Sequence, residues 1–313
     1  MTIIVFGSIN IDLVATAKSL PVAGETLLGE SFLKVPGGKG ANQAVALARL
    51  GIPTQIVGRV GADSFGEELV SNLQASGVQT DNILVDESVS SGVAIINVDH
   101  HGENQIVVVP GANGRVNQED VERLSRLLPT ATAILLQLEI PMAAVVAAAQ
   151  AARNANITVI LDPAPARSHL PEELYPLVDI ITPNEVEAGQ LVGFAVDGEE
   201  TAAQATAILL QRGVKCAIAK LGAKGVYCAT AEESFFLRAF PVQAVDTVAA
   251  GDAFNGGLAA ALTAGLSLHQ AVVWGAAAGA LATTKQGAQT SLPDKSTFDA
   301  FLRQKGLQQF SSI

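Results

Sequence analysis

The chain has 313 residues, a length that suits two average domains or one large α/β domain. With 49% hydrophobic and 16% charged residues, it is too apolar for disorder and supplies ample material for a large core. Its 19 Lys and Arg against 30 Asp and Glu leave a net charge of −11, which argues against a nucleic-acid footprint or a polybasic membrane patch; an anionic substrate needs only a few local donors.

In chain order, MTIIVFGSINID opens on an apolar run soon interrupted by Asn10 and Asp12, with no basic leader. It reads as a first buried strand over 3–6 rather than a signal peptide. Residues 13–35 alternate around Pro21 and Gly24 without helical periodicity. A helix is expected over 41–50, a strand over 54–60 and a helix over 65–76, with Gly51 and Gly77 as C-terminal stops. Residues 92–110 have the alternation of a hairpin turning at 100–104. Asn117 can cap a helix over 118–128, and Pro141 suits the start of another over 142–154. Strands are expected over 133–137, 158–162, 179–182 and 216–221, and a helix over 202–212 stopped by Gly213. Several of these strands are continuously apolar, as in a strand covered on both faces.

No Asp, Glu, Lys or Arg lies between Asp252 and Lys285, yet Asn255, Gly256, Gly257, Gly265, Ser267, His269 and Gln270 divide that stretch. Two buried helices of about a dozen residues fit it better than a membrane span of ~20 continuous apolar residues. The alternation of strands and helices implies right-handed βαβ units in a mainly parallel sheet with helices on both faces. Residues 1–313 are expected to form one α/β domain, with 13–35 and 92–110 making a small β-sheet lid. Cys216 and Cys228 form neither a CxxC pair nor a disulfide framework, as expected of a reduced, cytoplasmic chain.

Two stretches carry chemistry. Gly37-Gly38-Lys39-Gly40-Ala41-Asn42-Gln43 precedes a helix; its glycines can admit a ligand to the backbone, and Lys39 and Asn42 add polar groups. Lys39 is followed by Gly40, so this is not a Walker A loop, and a plain glycine turn fits as well. Asp246-Thr247-Val248-Ala249-Ala250-Gly251-Asp252 leads into a small-residue helix whose N-terminal amides favour phosphate oxygens. Asp252 there is either a helix cap or a base beside an anion hole.

Together and in this order, the two stretches resemble the signatures of the ribokinase family of carbohydrate kinases, also called the PfkB family. The resemblance covers nearly the whole chain, through GSINID (7–12), LQLEIP (136–141), DPAPAR (162–167), TPNEVEA (182–188), KLGAKG (220–225) and GAQTSLP (287–293). It implies the ribokinase-like fold and ATP-dependent phosphorylation of the primary hydroxyl of D-ribose, giving ribose 5-phosphate and ADP. It also implies Asp252 as catalytic base, with Ala249, Ala250 and Gly251 forming the anion hole. The implied sugar contacts are Asn10, Asp12, Gly38, Lys39, Asn42 and Glu139. Asn184, Lys220, Gly222, Gly225 and Gly251 fall at the nucleotide, and Glu187 at Mg²⁺ through water. A K⁺ site is implied at Asp246, Val248, Ala282, Lys285, Gly287 and Ser291. Ala276 departs from the His or Asn often found beside the adenine, which makes that contact more apolar.

Taken singly, Asn10 fits a turn, Glu139 a helix start, Asn184 and Glu187 a capped helix, and the K⁺ set a solvated loop. Rival readings are a family member acting on deoxyribose, fructose or a nucleoside, and a sugar-responsive binding protein without turnover. His100-His101 lacks metal-ligand spacing, and Trp274 in an Ala-rich segment reads as packing. The lid edge is a candidate homodimer surface, because exposed strand edges need covering.

Overall fold

Short apolar runs form strands and the 3.6-periodic segments form helices in a computed structural model that describes residues 2–307. The first part contains β1 (Thr2–Phe6), β2 (Asn10–Thr16), β3 (Ser31–Gly37), α1 (Lys39–Arg49), β4 (Thr54–Gly61), α2 (Ser64–Ala75), β5 (Ile83–Asp86), β6 (Gly92–Val98) and β7 (Asn104–Val109). The middle contains α3 (Gln118–Leu127), β8 (Ala131–Leu136), α4 (Met142–Asn154), β9 (Thr158–Leu161), β10 (Ile180–Ile181), α5 (Glu185–Val192) and α6 (Glu199–Gln211). It ends with β11 (Cys216–Lys220), β12 (Gly225–Thr230), β13 (Ser234–Arg238), α7 (Ala250–Thr263), α8 (Leu268–Ala282) and α9 (Lys295–Gln304).

Nine strands form the large sheet in the order β13-β12-β11-β10-β9-β8-β1-β4-β5. All pairings from β11 to β5 are parallel, and β12 and β13 add an antiparallel edge. The continuous apolar run of β1 has a simple cause. Ile3 and Val5 join the core of α1, α7 and α8, whereas Ile4 and Phe6 join that of α3 and α4 on the opposite face. The stretch free of Asp, Glu, Lys and Arg forms α7 and α8. A Cβ on Gly256 would lie 2.6 Å from that of Ala46, and one on Gly257 2.8 Å from the Trp274 carbonyl oxygen. Small residues therefore let α7 pack directly on α1 and α8. Trp274 is fully buried and meets Phe298 edge-on at 4.9 Å, as the packing reading expects. Among the described residues, no helix is long and apolar enough to cross a membrane.

The second sheet has four strands in the order β3-β2-β6-β7. It is mixed: β2 pairs antiparallel with β3 and parallel with β6, and β6 and β7 form the expected hairpin. Its strands extend beyond 13–35, beginning at Asn10 and reaching Gly37. Asn10 is thus a strand residue, not a turn. Asn10 and Asp12, two apart on β2, lie on the same face. The strand expected over 179–182 is only Ile180–Ile181, bridging β9 and β11.

Candidate active site

Parallel strands end on one edge of the large sheet, and polar residues follow the apolar runs there. Ser8 comes after β1, Gln137 after β8, Asp162 after β9 and Thr182 after β10, and Lys220 closes β11. All five are buried or half-buried. This edge is where open α/β sheets take their ligands.

α1 docks onto the chain that leaves β1. Gly38 has φ 87°, and a Cβ on it would stand 2.7 Å from the Asn10 amide nitrogen. A Cβ on Gly40 would stand 2.7 Å from the Ser8 nitrogen. The crossing of the chain's own backbone therefore requires glycine at both positions. Ala41 N–H donates to the Ser8 carbonyl at 2.9 Å. Glu139 Oε2 accepts from the Lys39 amide at 3.0 Å and from the Ser8 hydroxyl.

Asp252 lies in the first turn of α7, 4% exposed. Its Oδ2 accepts from Asn42 Nδ2 at 3.0 Å, and its Oδ1 from Gln43 Nε2 at 3.1 Å. Burial pushes its pKa up to about 6 against the pull of Lys39, with Asp162 adding to the rise and the two amides opposing it. Burial opposes the charge on Lys39, but Asp252, Asp162, Glu139 and Glu187 outweigh it and hold the ammonium above the ordinary lysine range. The cluster is not self-satisfied: Asn42 Oδ1, Gln137 Oε1 and Asn255 Nδ2 are buried without protein partners. Each of these atoms is left with hydrogen-bonding capacity that the protein itself does not fill. Ala249 precedes α7 with a left-handed φ of 59°, turning the chain so that the helix end opens beside Asp252. The Ala250 amide donates to the Thr247 carbonyl at 3.2 Å; Gly251 and Asp252 carry first-turn amides that no preceding helical carbonyl can take.

Asn10 begins β2 of the small sheet, its backbone against Gly38. Asn113, just beyond the hairpin, donates from Nδ2 to Asn10 Oδ1 at 2.7 Å and to the Ile9 carbonyl at 3.0 Å. Its Oδ1 accepts from the Ile9 amide at 2.9 Å. The Asn10 carbonyl is thereby engaged and its Nδ2 is left as the remaining donor. Asp12 is pushed up to about 7, first by burial and then by Glu139 and Asp252. This raised value has a sign for stability. Its folded pKa exceeds the ordinary 3.8, so the contribution of Asp12 to stability is greatest at low pH and is lost as pH rises from about 4 through about 7. Asp12→Asn is accordingly expected to raise Tm relative to the parent at pH 8 and to leave it unchanged at pH 4. Equal melting temperatures at both pH values would show that Asp12 carries no buried charge.

Lys220 Nζ pairs with Asp162 Oδ1 at 3.0 Å and would stand 3.3 Å from a Cβ on Gly251. It therefore lies against the N-terminal turn of α7. Asn184 and Glu187 form a reciprocal cap on α5: Asn184 Oδ1 accepts from the Glu187 amide at 2.9 Å, and Glu187 Oε2 from the Asn184 amide at 2.8 Å. Glu187 is buried and its pKa raised, by burial and then by Asp162. Gly222 has φ 50° and faces the Glu185 carboxylate. Gly225 is different: a Cβ there would strike the Leu237 carbonyl at 2.1 Å, so its identity follows from β12–β13 pairing.

Asp246 joins two loops, its Oδ1 accepting from the Val248 amide at 3.0 Å and its Oδ2 from the Gly287 amide at 2.8 Å. Ser291 Oγ donates to the Ala288 carbonyl at 2.7 Å. Ala282 ends α8, and the exposed Lys285 side chain acts electrostatically on Asp294. The sequence reading assigned no role to Gln43, Asn113, Gln137 or Asp162, which complete the network around Asp252 and Asn10. Their available signal was position: Gln137 and Asp162 are polar residues directly after buried strands.

A helix end with uncapped first-turn amides beside a buried carboxylate of raised pKa suits phosphoryl transfer to an alcohol, so fold and site together fit a small-molecule kinase. The model of the pfkB family of carbohydrate kinases matches residues 2–295, and the chain belongs to that family. The ribokinase of Haemophilus influenzae is 40% identical over 301 residues, 96% of this chain and 98% of that protein. A deoxyribokinase of Salmonella typhi is 34% identical over 302 residues, 96% and 99% of the two chains. The structure of Arabidopsis thaliana ribokinase complexed with ribose and ATP matches with a TM-score of 0.89 at 33% identity, covering 96% of this chain and 98% of that one.

Proposed function

We propose that the chain phosphorylates the primary hydroxyl of D-ribose with ATP, releasing ribose 5-phosphate and ADP. The observation that carries this is Asp252, a buried carboxylate with a pKa of about 6, fixed by two amides at the open N-terminus of α7. Asp252 takes the proton of the attacking hydroxyl, while the Gly251 and Asp252 amides face the charge that builds on the transferred phosphoryl group. Lys39, Asn10, Asp12, Asn42 and Glu139 suit a polyol, combining N–H donors with carboxylate acceptors. The small sheet is a lid that positions the sugar and excludes water as a competing acceptor, and we take 1–313 as one domain carrying it. Asn184, Lys220, Gly222 and Gly225 lie on the nucleotide side.

Mg²⁺ accompanies ATP and supplies charge neutralisation of the phosphates. Glu187, each of whose oxygens accepts one hydrogen bond from Asn184, has lone pairs left to order its water shell. The K⁺ site is assigned to Asp246, Val248, Ala282, Lys285, Gly287 and Ser291, several through backbone carbonyls, and such oxygen donors suit a hard monovalent cation. K⁺ there would steady the two loops that Asp246 already joins, next to the α7 turn. Activity is therefore expected to be higher in K⁺ than in tetramethylammonium at equal ionic strength, which holds screening constant. Equal rates across the titration would remove this site.

A homodimer through the lid is supported by exposed Phe32, Leu33, Ile95, Ile106, Val107 and Val108 on its strands. The free, buried thiols of Cys216 and Cys228 agree with a cytoplasmic setting. ATP-dependent ADP release with ribose, 2-deoxyribose, fructose and a nucleoside tests the assignment. Ribose is expected to give the highest kcat/KM; a higher value for another acceptor would reassign the substrate within the family.

A further inference from the structure

Gln43 is fully buried between two carboxylates. Gln137 Nε2 donates to its Oε1 at 2.6 Å, which fixes the amide and turns both Nε2 hydrogens the other way. One goes to Asp252 Oδ1 at 3.1 Å and the other to Asp162 Oδ2 at 3.0 Å. The second oxygen of Asp162 holds Lys220 Nζ at 3.0 Å, and Lys220 lies against Gly251. A continuous polar chain therefore runs from the N-terminal turn of α7 back to the carboxylate on its first turn.

We propose that Asp162, acting through Gln43, is a positioning residue for Asp252, fixing the direction of its free lone pairs and its affinity for the hydroxyl proton, with Lys220 as counter-charge. The inference rests on Asp252 being the base. Asp162 touches neither the sugar nor the phosphate in this role; it acts through an amide that can satisfy two carboxylates only in one orientation. Without Asp162 the second Nε2 hydrogen of Gln43 has no acceptor, and Lys220 loses the partner that keeps it beside Gly251.

The charged groups around Asp252 are Lys39 from α1, Asp12 from β2, Glu139 after β8, Asp162 after β9, Glu187 from α5 and Lys220 from β11. Among them Asp162 raises the proton affinity of Asp252, whereas the Gln43 amide lowers it. Removing each therefore has an opposite sign. The acidic limb of kcat at saturating sugar and ATP is expected to move down by about one pH unit in Asp162→Asn. In Gln43→Met it should move up. Asp12 titrates in the parent and in both variants, so the displacement of the limb carries the result rather than its absolute position. A merely structural role would lower kcat or Tm without displacing the limb in opposite directions. Limbs that stay at the parent pH in both folded variants, or move together, would overturn the proposal. Should Asp162→Asn fail to fold, Gln43→Met decides alone, and an unmoved limb overturns it. Full activity in Asp252→Asn would instead overturn the base assignment, so the two failures are distinguishable.

Discussion

Asp252→Asn is expected to lower kcat by about 10²–10⁴-fold while leaving the fold intact. The amide has nearly the same shape as the carboxylate but cannot take a proton from the attacking hydroxyl. The surroundings can adapt to the change. Asn42 donates to Asp252 and has an unpartnered Oδ1, so a flip of its amide lets it accept from the new side chain. Exchanging a fully enclosed carboxylate for a neutral group also removes a buried charge. Tm at pH 8 should therefore equal or exceed that of the parent. The parent itself should lose activity as pH falls through about 6, where Asp252 becomes protonated. The variant, lacking that group, should have a residual rate without this limb. A folded variant with near-parental kcat would show that another group takes the proton.

The layered architecture was legible because the apolar runs of β1, β4, β8 and β9 are covered on both faces, and such runs are distinctive. β5 and β13 were not. Both are short, lie at the sheet edges and are largely half-exposed, so their sequences lack both the continuous and the cleanly alternating pattern. α5 has eight residues, too few for periodicity to stand out beside its cap. Helix stops were easier, since Gly51, Gly77 and Gly213 all take positive φ where the sequence places them.

In the site, Asp252, Asn42, Lys39, Asn10, Asp12 and Glu139 stood out through their motifs, and the structure brings them together. The motifs did not display every demand on their residues, however: Gly38 and Gly40 also serve chain crossing, and Gly225 also serves strand pairing. Asn113 was invisible because its meaning is relational. It lies 103 residues from Asn10, after a hairpin, and only the closing of the small sheet brings the two amides together. Asp162 and Gln137 have the same character, as polar residues whose importance follows from where their strands end.

The Asn10–Asn113 pair leads to the second large effect. With its Oδ1 held by Asn113, Asn10 presents Nδ2 as the remaining donor on the face of β2 that also carries Asp12. A donor there matches a secondary hydroxyl of the sugar. Asn10→Leu is expected to lower kcat/KM for ribose much more than for 2-deoxyribose. Leaving one buried ribose hydroxyl unpaired costs ~1–3 kcal/mol, which corresponds to a roughly 5–150-fold loss. A sugar lacking that hydroxyl forfeits no bond and gains apolar contact with leucine. The substitution also removes one acceptor from Asn113, but Asn113 keeps both bonds to the Ile9 backbone, so the root of the small sheet stays pinned. That structural cost falls equally on both sugars and cancels in their ratio. Comparing kcat/KM for the two sugars therefore isolates the hydroxyl contact. A ratio unchanged from the parent would show that Asn10 does not read this hydroxyl, and would shift the discrimination to Asp12 and Asn42.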